Sequence, residues 1–258
     1  MNLDNAYANS AHIPDGEGYF PRWAKAAAEF RSTQPTASLG IKYGSKPRQT
    51  YDFFAPTELA KGTVIFVHGG YWLASSPRDF SHLAAGAVHA GYCCALPSYT
   101  LAPVARISDI TQEIRTAISA IAAKTNGPIY LVGHSAGGHL VARMACDDVY
   151  EKWQSRVARV MPISPLSDLA PLMQTSMNDT LRLDPIEAKQ ESPIQHHPRN
   201  IPVTVWVGGA ERPAFLDQAR WLVQAWGSQH VVDAGRHHFD VIEGLEDPTS
   251  SMMKALLG

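Results

Sequence analysis

Cysteine is scarce in this chain. There are three among 258 residues: Cys93 and Cys94 are neighbours inside an apolar run, and Cys146 lies in a stretch that reads as helix. No disulfide framework can be built from that set, so small buried thiols in a reducing compartment are expected. Long apolar runs are missing as well. No segment reaches the roughly 18 to 20 residues that a membrane-spanning helix needs. The opening segment, Met1 to Gly18, has neither the basic nor the apolar region of a secretion signal. An excess of one charge is also lacking: 22 Lys and Arg against 24 Asp and Glu leave a net charge of −2, with no basic face for nucleic acid. His-Glu-x-x-His and paired Cys/His spacings do not occur, so neither a metal nor a cofactor is expected. What remains is a cytoplasmic globular protein, 45% hydrophobic and 18% charged, with a small molecule as its partner rather than nucleic acid or membrane. A homodimer is compatible with all of this.

Strand and helix patterns alternate along the chain, as in a mostly parallel sheet with helices on both faces. Eight strand-like runs are expected: Leu39–Gly44, Thr50–Phe54, Gly62–His68, Tyr92–Leu96, Ile129–Val132, Val157–Ile163, Val203–Val207 and Gln229–Val232. Helices are expected near Gly18–Phe30, Arg78–Ala90, Ile110–Ala123, Ala136–Cys146 and Pro248–Leu257. The third of these carries Ile110, Ile114, Ile118 and Ile121 at helical spacing, with Ser108 and Asp109 as candidate N-caps. The segment Ser164–Ile201 breaks the alternation. It is too long for an ordinary connection and reads as a small helical cap, about 165–200, inserted in one domain that spans 1–258.

The strongest chemical signal is Gly133-His134-Ser135-Ala136-Gly137, placed between a strand and a helix. G-x-S-x-G in that setting is the nucleophile elbow of the α/β-hydrolase fold: a sharp turn that exposes the serine hydroxyl at a helix N-terminus. The bland alternative is a glycine turn. His68-Gly69-Gly70-Tyr71-Trp72 follows an earlier strand, and ligands of open α/β sheets bind beyond the carboxyl ends of strands. Glycines there let backbone amides face a substrate oxygen, and His68, Gly69 and Trp72 are candidate substrate contacts. A serine also needs a base. His237 and His238 both stand after the last strand, and the reading favours His238. Glu211 is the only carboxylate in the loop Gly208–Pro213, whereas Asp217 falls too far into the next helix. Ser135, Glu211 and His238 then follow the Ser…acid…His order of that fold.

These residues together resemble the kynurenine formamidase (arylformamidase) branch of the α/β-hydrolases, near the hormone-sensitive-lipase-like esterases. His68–Trp72 resembles the H-G-G-x-W motif of that branch. Tyr99–Pro103, the segment from Ser164 through Ser192-Pro193, and His238–Glu243 resemble its other recurring segments, so the similarity runs over most of the chain. The resemblance implies an oxyanion hole from the amides of Gly70, Tyr71 and Ala136, and it selects His238 over His237. One departure is Glu211, where members of the branch usually carry aspartate. The implied reaction is hydrolysis of an N-formyl aryl amide, such as N-formylkynurenine, to formate and the free amine through an acyl-enzyme. The alternative is a short-chain or aryl carboxylesterase with the same three residues. A non-catalytic binding protein of this fold fits less well, because it would have no need for nucleophile, base, acid and glycine loop together.

Overall fold

The computed structural model describes residues 3–258. Its centre is one sheet of β1 (Ser38–Lys42), β2 (Thr50–Phe54), β3 (Thr63–Val67), β4 (Cys93–Pro97), β5 (Ile129–His134), β6 (Val157–Ile163), β7 (Thr204–Gly208) and β8 (Gln229–Asp233). The spatial order is β1-β2-β4-β3-β5-β6-β7-β8. β2 pairs antiparallel with both neighbours, and every pairing from β4 to β8 is parallel. Nine α-helices occur among the described residues: α1 (Leu3–Tyr7), α2 (Tyr19–Ser32), α3 (Ala85–His89), α4 (Ile107–Ala122), α5 (Ala136–Arg143), α6 (Asn178–Leu181), α7 (Pro185–Glu191), α8 (Pro213–Trp226) and α9 (Ser251–Leu257). None of them is long and apolar enough to cross a membrane.

Strand periodicity divides the interior in two. Along β3, Ile65 and Val67 belong to one hydrophobic cluster, while Val64 and Phe66 belong to the other. β5 does the same, with Ile129 and Leu131 on one face and Tyr130 and Val132 on the other. Such strands are buried on both sides, which is why their sequences run as unbroken apolar blocks. The first cluster takes in α4, α5 and α8; Ile110, Ile114, Ile118 and Ile121 are all fully buried there. Each such side chain contributes about 1.5–3 kcal/mol of burial. The second cluster takes Trp23 of α2 together with α3 and α9.

Two local expectations are corrected. α4 begins earlier than its apolar repeat suggested: Arg106 is its N-cap residue, and Asp109, at the third helical position, accepts from the Arg106 amide at 3.1 Å. Ser108 instead turns outward from the helix start and donates to Glu187 at 2.8 Å. The run around Arg78–Ala90 holds two short 3₁₀ turns, and only Ala85–His89 is α-helical.

The segment after β6 carries α6 and α7 and packs on the first cluster. Leu166, Leu169, Leu172, Leu181, Leu183 and Ala188 enter the first cluster. Buried Glu191 accepts from Thr111 at 2.6 Å and from Arg143 at 3.2 Å, which ties α7 to α4 and α5. Only Ser176 and Met177 of this segment reach the cavity described next.

Candidate active site

The carboxyl ends of the parallel strands converge on a cavity of about 560 Å³. Ser135 stands at the end of β5 with φ 56° and ψ −116°, a conformation that side chains rarely adopt. It persists because the turn around it has no room to relax. A β-carbon on Gly137 would lie 1.9 Å from the Val67 carbonyl oxygen, and one on Gly133 would lie 2.2 Å from that of Gly137. The Ser135 amide is held by the Ile163 carbonyl at 2.8 Å, and α5 starts at the next residue.

His238 follows β8, and its Nδ1 lies 2.6 Å from Oε2 of Glu211, which follows β7. A carboxylate only accepts, so Nδ1 carries the proton and Nε2 is left with its lone pair. The side chain of Glu211 is completely buried. Its other oxygen accepts from the Ser164 hydroxyl at 2.5 Å and from the Gly208 amide at 2.8 Å. The acid is thereby fixed by two donors, one from the residue after β6 and one from β7, and has one oxygen left to orient the imidazole. Phe215 of α8 packs on the same ring at 4.1 Å between centroids.

Ser135, His134 and His238 all line the cavity. The Ser135 hydroxyl has no hydrogen bond to His238 within 3.5 Å, a looseness common in such sites before substrate arrives. His134 lies beside His238 with centroids 4.6 Å apart, and its Nε2 donates to the His238 carbonyl at 2.8 Å. Complete burial and the neighbouring ring hold the pKa of His134 well below the ordinary range. It is therefore a neutral brace for the segment that carries His238.

The loop after β3 continues through Gly70 (φ 102°), Tyr71 (φ 52°) and Trp72 (φ 58°). Successive amides in left-handed turns of this kind face one concavity. No described residue accepts from the amides of Gly70, Tyr71 or Ala136. The Tyr71 hydroxyl donates to the Tyr7 carbonyl at 2.6 Å and so clamps this loop to α1.

His237 is turned away from the chemistry. Its Nε2 meets the Tyr19 hydroxyl at 3.1 Å, and its Nδ1 lies 3.2 Å from the amides of Phe239 and Asp240. Two of the expected substrate contacts are also corrected. Gly69 lines the cavity, but His68 and Trp72 do not. His68 is stacked on Tyr99 with centroids 4.4 Å apart, and Trp72 is fully buried with its edge against His139. Of the two aromatics after the glycines, Tyr71 lines the cavity and Trp72 anchors the loop from the core.

What the sequence reading missed is the other wall. Asp4, Tyr7, Asn9, Glu17, Phe20 and Trp23, from the N-terminal helices and their linker, line the cavity opposite Ser135. No motif marks them. The only trace is the density of aromatics at Tyr19, Phe20 and Trp23, which reads equally well as the core face of a helix.

The buried histidines outside the site predict an acid limit on stability. Burial pushes His68 and His82 down to about 4 and His139 down to about 3, against an ordinary 6.5. The unfolded chain takes up these protons near pH 6.5, whereas the folded chain takes them only near pH 4 and below. Stability should therefore fall as pH drops from 6.5 towards 4. Thermal unfolding at pH 7, 5.5 and 4.5 checks this; a flat Tm would mean that the rings are protonated within the fold.

A family model for the alpha/beta hydrolase fold matches residues 64–234. A solved structure from Silicibacter sp. TM1040, provisionally described as a thioesterase, is 50% identical with a TM-score of 0.98, and each chain is covered completely. Kynurenine formamidase of Salmo salar is 26% identical over 85% of this chain and 80% of its own. The enzyme of the same name from Danio rerio is 24% identical over 90% and 85%. Esterase B of Lactobacillus rhamnosis, at 18% identity and a TM-score of 0.68 over 93% and 92% of the chains, shares the fold.

Proposed function

We propose, since this chain belongs to the alpha/beta hydrolase fold family and is a hydrolase, that Ser135, His238 and Glu211 form its catalytic triad and that an N-formyl aryl amide such as N-formylkynurenine is its substrate. The observation that carries the reading is the 2.6 Å contact of His238 with a fully buried, doubly held Glu211, beside a serine in a strained turn. Ser135 attacks the formyl carbon while Nε2 of His238 takes its proton, and the developing imidazolium is stabilised by Glu211. The amides of Gly70, Tyr71 and Ala136 receive the oxyanion. His238 returns the proton to the aryl amine as it leaves, and water then releases formate from Ser135 by the same route. The three free buried thiols suit a reducing compartment, and we place the protein in the cytoplasm.

A short-chain or aryl ester asks for the same groups, and the aromatic, mostly apolar cavity would take such a compound too. The deciding measurement sets hydrolysis of N-formylkynurenine beside that of p-nitrophenyl acetate. A kcat/KM for the formamide of about 10⁴ to 10⁸ M⁻¹s⁻¹, well above that for the ester, is expected. Fast ester cleavage with negligible formamide turnover would overturn the substrate and leave the triad standing. Chelators should leave either rate unchanged.

A further inference from the structure

The loop after β3 is held in a shape it would not keep alone. Tyr71 and Trp72 are consecutive non-glycine residues at φ 52° and 58°, and such a pair persists only where its surroundings fix it. Trp72 is pinned in the core, fully buried beside His139. Tyr71 is pinned by its hydroxyl, which donates to the Tyr7 carbonyl at 2.6 Å.

That carbonyl must itself be held. α1 has five residues, too few to be stable without partners. Tyr7 is buried and takes its place from α8, where Phe215 and Gln218 lie three residues apart on one face. The Phe215 ring meets the Tyr7 ring edge-on at 5.8 Å between centroids, and it also packs on His238. Gln218 is fully buried. Its side-chain oxygen accepts from the amides of Ser167 and Asp168, both at 2.7 Å. Its NH₂ is therefore turned to the Asp168 carbonyl at 2.8 Å and to the Tyr7 hydroxyl oxygen at 3.0 Å. Burial raises the pKa of Tyr71, so its hydroxyl keeps the proton it donates.

We propose that Tyr7 is a positioning residue for the reaction: held by Gln218 and Phe215, it fixes the Tyr71 hydroxyl and, through it, the amides of Gly70 and Tyr71 relative to His238. The assignment rests on the serine-hydrolase reading above. α8 is the common reference, since one of its residues packs on the base and the next on that face holds the residue that holds the oxyanion loop. An amide that drifts by a fraction of an ångström still lets substrate bind but no longer meets the oxyanion squarely. The cost of losing the Tyr71 hydroxyl therefore falls on kcat rather than on KM.

The test uses Tyr71→Phe, which keeps the ring and removes the bond to Tyr7, and Tyr7→Phe, which keeps the ring on Phe215 and removes the bond to Gln218. On whichever of N-formylkynurenine and p-nitrophenyl acetate the parent cleaves faster, Tyr71→Phe should lower kcat about 30-fold with KM within about twofold. Tyr7→Phe should lower kcat about fivefold, and the double variant should match Tyr71→Phe, because Tyr7 acts through the bond already removed. Labelling of Ser135 by an alkyl fluorophosphonate, whose phosphoryl oxygen enters the same hole as fluoride leaves, should slow by similar factors. All assays are run well below each variant's Tm. Should Tyr7→Phe not fold, Tyr71→Phe decides, since it leaves Gln218 satisfied. A Tyr71→Phe variant with the kcat of the parent, a loss confined to KM, or a double variant slower by the full product of the single effects would overturn the assignment. A parent that is not labelled at Ser135 would sink the serine-hydrolase reading and the assignment with it; a labelled parent with equally fast variants sinks the assignment alone.

Discussion

Replacing Ser135 by alanine is expected to lower kcat on any acyl substrate by about 10⁵- to 10⁶-fold, the loss typical when a triad nucleophile is removed. The fold should survive. The Ser135 amide keeps its bond to Ile163, and alanine tolerates φ 56° no worse than serine does. A Tm within a few degrees of the parent, with turnover at the level of the blank, is the predicted pair of results. Residual activity above about one per cent in that variant would remove Ser135 from the mechanism.

Glu211→Gln should be nearly as damaging, because it alters the tautomer of His238 rather than its position. The amide oxygen of glutamine can still accept from Gly208 and Ser164, which turns its NH₂ towards Nδ1. Nδ1 must then offer a lone pair, so the proton moves to Nε2 and the base that faces Ser135 is lost. A fall in kcat of about 10⁴ follows, the size seen when the acid of such a triad becomes an amide. Glu211→Asp separates geometry from charge. It keeps the carboxylate but is one methylene shorter, so it should retain the tautomer and lose the 2.6 Å contact. Its activity should therefore lie between the parent and the glutamine variant. If glutamine proves as active as glutamate, another carboxylate serves the histidine.

The pattern of what the sequence revealed has a physical basis. The turn around Ser135 stands out because a strand, a tight turn and a helix leave few residue types possible there, whereas Glu211 is marked only as the one carboxylate of its loop. Gly133 and Gly137, with no space for a β-carbon, are the clearest instance. The central strands were equally plain, since burial on both faces turns β3 and β5 into unbroken apolar runs. Contacts between distant segments leave no such mark. Trp72 and Trp23 are both aromatic residues in apolar surroundings, yet one anchors a loop in the core and the other lines the cavity. The start of α4 was misplaced for a related reason: Ser108, a good cap by type, is engaged by Glu187 from a segment far along the chain.

The clamp between Tyr71 and Tyr7 joins a loop of the matched region to a segment that precedes it. The proposed reacting groups and the opposite wall of the cavity therefore belong to different stretches of chain, the first from Gly69 to His238 and the second from Asp4 to Trp23. Selectivity can thus drift, or be redesigned, without disturbing the chemistry. Exchanging residues 4–23 for the corresponding stretch of a relative amounts to refitting a die on an unchanged press, provided the tyrosine clamp is carried across with it.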